Sequence, residues 1–323
     1  MNDLMAIMLY QVLYCVKTRA IIHIRTVAVW RLKLADYTRE ELRGLKDTSL
    51  EIATYFVDFC NEHQLLCYFC GGGCIGAIRY KGFIPWDDDL DFFMPRKDYE
   101  QLIELWNTGD KAERFAIEKS NRNYIDRNLF VTIRDCETTQ IKPYQKDLDI
   151  HHGVALDVLP LDGYPPTEGE RKKQCIWALI YSLFCAQTIP QKHGGIMSIG
   201  SRVALCLVPF KSWRYRLWKR AERKMTKYDI DQSEYITELC SGPYYMRKKY
   251  EASWFKSAIW VDFEETKMPI PCGYDSYLRE AFGDYMQMPP KEKQVAHHDS
   301  SFLDLNNSYV NYKGKEYCVK GSK

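Results

Sequence analysis

The sequence has no apolar run long enough to read as a clear bilayer span, no internal repeat and no low-complexity tract. Charge of either sign is not in excess: 45 Lys and Arg stand against 43 Asp and Glu, a formal net charge of +2. A global polyelectrolyte argument is therefore excluded, and no nucleic-acid-binding motif accompanies the local basic patches, so no nucleic-acid partner is expected. The opening Met1-Asn2-Asp3-Leu4-Met5 has no basic leader region and no small-residue cleavage site follows it, so no secretory signal is expected. The 12 cysteines lack the spacing of a small disulfide scaffold. In a chain of 323 residues they suit buried thiols and a reducing, cytoplasmic compartment. Cys67, Cys70 and Cys74 do not have the spacing of a standard zinc finger.

What is present is concentrated between Phe69 and Tyr99. A glycine-rich turn, Gly71-Gly72-Gly73, precedes four carboxylates in five residues: Asp87, Asp88, Asp89 and Asp91. Glycines let backbone approach a phosphate closely. Clustered carboxylates suit a hard divalent cation that also binds substrate phosphate. Leu90–Met94 is short, apolar and aromatic, and reads as a buried strand. Strand alternation would turn Asp89 and Asp91 to one side and Asp88 to the other. Two such carboxylates can share metal ions that steer displacement at phosphorus. The plainer alternative is a solvated acidic loop. Gly71, Gly73 and Gly76 spell G-x-G-x-x-G, but the following helix is too short for a dinucleotide-binding βαβ unit. No Gly-Lys-Ser/Thr follows, which excludes a Walker loop. Arg79 and Lys81 follow the turn and would either neutralise phosphate or form a solvated face.

Along the rest of the chain, residues 5–34 read as an apolar helix with scattered bases, either docked on the domain or lying on a membrane surface. Thr48-Ser49-Leu50-Glu51 matches a capping box opening a helix through Cys60. Leu65–Phe69 reads as a strand, Cys74–Tyr80 as a short helix whose N-terminus favours phosphate, and Arg96–Trp106 as a helix. Phe115–Glu118 and the alternating Leu129–Arg134 read as strands. In Val154–Asp162, an Asp inside an apolar strand is costly unless it is paired or metal-bound, which makes Asp157 the third candidate carboxylate. Asp162 is assigned to the following turn. Cys175–Ile189 and Val203–Phe210 are apolar but short for spanning a bilayer, and a basic, aromatic segment follows from Lys211. They read as a helical insertion, or as a hairpin resting on an anionic membrane. Pro269–Gly273 reads as a loop, Tyr274–Phe282 as a helix, and His297-His298 as either ligands or structural histidines.

Gly72 to Arg79 followed by Gly82-Phe83-Ile84-Pro85-Trp86-Asp87-Asp88-Asp89-Leu90-Asp91 resembles the LicD family of phosphocholine and polyol-phosphate transferases. Val154–Asp162 and Gly283-Asp284-Tyr285-Met286 … Pro289-Pro290 … His resemble two further blocks of that family. The resemblance covers roughly 48–165 and 269–298. It implies an α+β fold of nucleotidyltransferase type: a small mixed β-sheet flanked by helices, here with a large helical insertion. The expected organisation is an N-terminal helical segment 1–46, a catalytic core 47–165, an insertion 166–260 facing membrane or acceptor, and a C-terminal segment 261–323 completing the domain. It further implies Mg2+ or Mn2+, a CDP-activated donor and a glycan acceptor. Asp89, Asp91 and Asp157 match the family's metal carboxylates, and Gly72 and Gly73 its donor-phosphate turn. Asp87, Asp88, Trp86, His297 and His298 are secondary candidates. Gly73 stands where the family commonly has Ser or Thr, and Cys74 where it has Leu. Peripheral membrane contact through 175–227, at the inner face of the cell membrane, is the expected location. A UDP-sugar glycosyltransferase with an Asp-x-Asp metal site is the competing enzyme class. It would need a larger nucleotide-binding half before the motif, which arrives by residue 89.

Overall fold

A computed structural model describes residues 37–106, 114–188, 195–294 and 300–319. The helix expected over 5–34 and the pair His297-His298 lie outside these residues. Helix α1 (Arg39–Glu62) is opened by Thr38, whose hydroxyl accepts the Glu41 N–H at 3.1 Å while Glu41 reaches back to the Thr38 N–H at 2.8 Å. The capping box therefore sits at 38–41, and Thr48-Ser49-Leu50-Glu51 lies inside the helix. Leu45, Ser49, Ile52, Phe56 and Cys60 recur every three or four residues and form its buried face.

The central sheet runs β1 (Tyr68–Phe69), β2 (Asp91–Pro95), β6 (Ala155–Gly163), β4 (Val131–Asp135), β3 (Phe115–Glu118), with β7 (Tyr235–Glu238) on β6 and β8 (Tyr250–Glu251) on β7. It is mixed: β2 and β6 are parallel and every other pair is antiparallel. β6 is the organising strand. One edge takes β2; the other takes β4 over its first half and β7 over its last residues. That shared pairing explains two departures from expectation. β6 continues through Asp162, which is in register with Thr237 and is not a turn residue. β4 is buried at every position, although its sequence alternates. β1 and β2 being antiparallel also excludes the dinucleotide-binding βαβ unit.

The two faces of the sheet are covered differently. Phe92 packs under α1, its ring 4.9 Å from Phe56. Phe93 turns the other way, 5.8 Å from Tyr277 of α7 (Tyr274–Phe282). Between β1 and β2 lies α2 (Gly71–Tyr80), and α3 (Arg96–Trp106) follows β2. β9 (Ala258–Phe263) and β10 (Thr266–Pro271) form a hairpin, so Pro269–Pro271 is strand and not loop. β5 (Thr139–Ile141) pairs with β11 (Phe302–Asp304), tying the C-terminal segment to the middle of the chain.

Helices α4 (Glu168–Ala186), α5 (Gly195–Leu207) and α6 (Lys211–Met225) build a second core, in which Ala178, Tyr181 and Cys185 meet Trp218, Ala221 and Met225. Gln174 links it to the sheet, donating to the carbonyls of Gly163 and Met225 at 3.0 and 2.9 Å. Among the described residues there are seven α-helices and a mixed sheet, an α+β architecture. Of the described cysteines, all free, Cys60, Cys67, Cys70, Cys74, Cys185 and Cys240 are buried as expected, whereas Cys136, Cys175, Cys272 and Cys318 are half-buried and Cys206 is exposed.

Two buried ionisable groups bear on the stability of this frame in opposite ways. Arg96 grips Asp162 through two parallel bonds of 2.8 and 2.7 Å. Burial opposes the Arg96 charge, and Asp162 more than offsets it. Asp162→Ala leaves that guanidinium uncompensated, and urea unfolding is expected to show a loss of about 3–5 kcal/mol. Glu238 accepts from Ser241 N–H at 2.8 Å, yet burial pushes its carboxyl up from 4.5 to about 7. Its folded state holds the proton more tightly than the unfolded chain, so its contribution declines as pH rises from about 4.5 to 7. Glu238→Gln is expected to gain on the wild type by roughly 3 kcal/mol over that window. Equal pH slopes for the two proteins would contradict the assignment.

Candidate metal and phosphate site

The site forms at the end of the sheet where β2 and β6 begin. Parallel register sets Asp91 beside Asp157, and Thr132 of β4 lies on the other side of Asp157. In-register residues of paired strands share a face, so both carboxylates point together. β2 starts only at Asp91. Asp87, Asp88 and Asp89 therefore belong to the preceding loop, where alternation does not apply. Asp88 is buried, and it faces the same cleft as Asp89, Asp91 and Asp157 rather than the opposite side. Oxygens of Asp87, Asp88 and Asp89 lie within 4.8 Å of one another.

Lys46 of α1 fixes this loop by donating to the carbonyls of Ile84 and Pro85, both at 3.0 Å. Its ammonium is held below the usual lysine range because burial outweighs the attraction of Asp87, Glu264 and Asp88. On the other side the Cys70 N–H donates to the Asp91 carbonyl at 3.0 Å, hooking the start of α2 to the start of β2.

The glycines are the first turn of α2, not a loop before it; the helix begins at Gly71 instead of Cys74. Gly71 has φ +51°, which favours glycine, and its N–H donates to the Tyr277 hydroxyl at 3.0 Å. At Gly72 a β-carbon would lie 2.0 Å from Oδ2 of Asp87. At Gly73 it would press on the Phe69 ring at 3.2 Å, and at Gly76 on the Gly82 carbonyl at 2.4 Å. Gly72 is thus small because the acidic loop packs against it, Gly73 because β1 does, and Gly76 because the chain leaving α2 does. Arg79 and Lys81 lie at the far end of this 10-residue helix, about 15 Å along its axis. Arg79 donates to the Tyr285 carbonyl at 3.3 Å, and Lys81 stands 3.9 Å from Asp262. The structure brings neither to the carboxylates. Trp86 is half-buried in the acidic loop.

Reading the sequence missed Gln140 and Lys142, which line the same cleft as Asp88, Asp89, Asp91 and Asp157. Burial pulls the Lys142 pKa down, but Tyr144, Asp157 and Asp89 together raise it above the normal lysine range, against Arg134. A lysine whose charged form is favoured thus shares the cleft with the carboxylates. No local pattern marks it: the chain reaches the cleft there through β5, held by its pairing with β11.

The donor set fits a hard divalent cation. It is all oxygen, it is anionic, and Oδ1 of Asp157 is buried without a hydrogen-bond partner among the described residues. The nearby thiol of Cys70 is no competitor, since burial and Asp91 push its pKa well up. Gly72→Ala should leave the fold intact, because a carboxylate can rotate where a backbone could not. Manganese titration is expected to show affinity weakened by about tenfold or more, as for loss of a group that orients ligands. Unchanged affinity would remove Asp87 from the site.

Residues 65–161, the stretch that contains all of these aspartates, match a family model described as LicD/FKTN/FKRP, nucleotidyltransferase domain. The chain is also similar to the lipopolysaccharide cholinephosphotransferase LicD of Haemophilus influenzae. The two are 29% identical over 267 residues, covering 80% of this chain and 96% of that one.

Proposed function

We propose that this chain is a metal-dependent transferase moving phosphocholine or a polyol phosphate from a CDP-activated donor to a hydroxyl of a glycan, a reading supported by the match of residues 65–161 to the LicD/FKTN/FKRP model. The observation that carries the reading is the single cleft shared by Asp89, Asp91, Asp157 and Lys142. The similarity to a cholinephosphotransferase that acts on lipopolysaccharide supports phosphocholine and a cell-surface glycan, or its lipid-linked precursor, as the transferred group and the acceptor.

Asp89, Asp91 and Asp157 would hold Mg2+ or Mn2+, which neutralises the charge of the donor diphosphate. Lys142, in the same cleft, would supply positive charge that stabilises the phosphate charge developing during transfer. The acceptor hydroxyl oxygen bonds to the phosphorus that carries the head group. The bond from that phosphorus to CMP breaks, and CMP leaves with the electron pair. The hydroxyl proton passes to a cleft carboxylate, Oδ1 of Asp157 or an oxygen of Asp89. Gly72 and Gly73 give the donor's phosphates close access to backbone at the start of α2. No helix among the described residues is long and apolar enough to cross a membrane. The reading places the protein in the cytoplasm, peripheral to the inner face of the cell membrane.

Thermal unfolding with CDP-choline, CDP-ribitol, CDP-glycerol, CTP and UDP-glucose, each with and without magnesium, tests this directly. One CDP donor at about a hundred times its dissociation constant should add roughly 2.7 kcal/mol, only with metal. Asp91→Asn should keep its fold and lose the response. Stabilisation by UDP-glucose alone would overturn the reading in favour of a glycosyltransferase.

A further inference from the structure

Between Glu170 and Glu222 the chain contains no Asp or Glu, while Lys172, Lys173, Arg202, Lys211, Arg216 and Arg220 are among its bases. Helix α5 lies in this stretch, and Leu205 is its one buried side chain among those described. Ile199, Val203 and Leu207 recur every four residues and are 63%, 41% and 55% exposed. Phe210 and Trp213 continue the ridge at 59% and 54%, with their rings 5.2 Å apart and edge-on. The elbow between α5 and α6 is locked. Arg214 donates to the carbonyls of Val208 and Leu205 at 2.7 and 2.9 Å, satisfying the end of α5. Past Trp213 the exposed face becomes basic: Arg216, Arg220, Arg223, Lys224 and Lys227 follow at helical spacing.

We propose that the α5–α6 elbow seats on an anionic lipid surface, with the ridge from Ile199 to Trp213 in the headgroup–acyl boundary and the basic face of α6 against lipid phosphates. A contiguous exposed apolar ridge beside a basic face is the pattern of a helix lying in the plane of an interface. At 13 residues, α5 is too short to span a bilayer. Charge selects the occupant. A second copy docking on the same face would set its acid-free surface against an identical one, which repels. A nucleic acid would satisfy the bases and leave the ridge in water. The seat would present a lipid-linked acceptor to the transferase proposed above, but lipid binding needs neither donor nor turnover, so it stands or falls separately.

The test is co-sedimentation of the full chain with phosphatidylcholine vesicles, with and without phosphatidylglycerol, at low and high salt. Binding is expected only with phosphatidylglycerol, weakening with salt, with quenching of Trp213 by brominated acyl chains that is lost in Trp213→Phe. Arg216→Gln/Arg220→Gln/Arg223→Gln should weaken binding on the order of a hundredfold. Val203→Ser/Leu207→Ser/Phe210→Ser should reduce it as strongly, and circular dichroism melting checks that both triple variants keep the wild-type fold. Absence of binding by the wild type would overturn the proposal, as would binding unaffected in either folded variant. A dimer in sedimentation velocity that the apolar variant abolishes would assign the ridge to a second copy instead.

Discussion

The parallel pairing of β2 with β6 is the constraint on which the rest depends. Its register puts Asp91 beside Asp157, two like charges that repel unless something positive lies between or beside them. The frame tolerates that repulsion because the remainder of both strands is firmly held. β6 is paired along both edges, and the Arg96–Asp162 bridge clamps its far end. Apolar packing of Phe92 on one face and Phe93 on the other leaves β2 no freedom to slip. A slip of one residue would turn Asp91 into the core and expose both phenylalanines to the wrong face.

Much of this arrangement is legible in the sequence because its signals are local. Arg96–Trp106, Phe115–Glu118 and Tyr274–Phe282 stand in the structure with the bounds read from periodicity and stop signals. Asp157 stands out because an acid inside an apolar strand loses its hydration and must regain it from a cation or a donor. The departures share a cause: a local pattern overruled by a distant partner. Asp162 looks like a turn residue until Arg96 is known to face it. Thr48–Glu51 looks like a cap, yet a better one lies ten residues earlier. Asp88 follows strand alternation on paper, but its loop is held by Lys46 and is not strand.

Gln140 and Lys142 were not legible at all. Nothing in their neighbours marks them, because what brings them to the carboxylates is a strand pairing across some 160 residues of chain. Arg79 illustrates the reverse. Its distance from the glycines in sequence suggests a phosphate contact. A helix that begins three residues early carries it to the other end, where Tyr285 engages it.

The grip of Lys46 on the carbonyls of Ile84 and Pro85 separates two boundaries that are easily equated. The stretch that matches the family model, 65–161, supplies the carboxylates, but it does not supply what immobilises them. The lysine comes from α1 before it, the hydroxyl on Gly71 from Tyr277 after it, and the partner strand for β5 from the C-terminal segment. The inherited motif and the unit that folds are therefore of different size. Grafting 65–161 alone would transplant the carboxylates without their scaffold, whereas a graft that also carried α1, α7 and β11 would move the cleft whole.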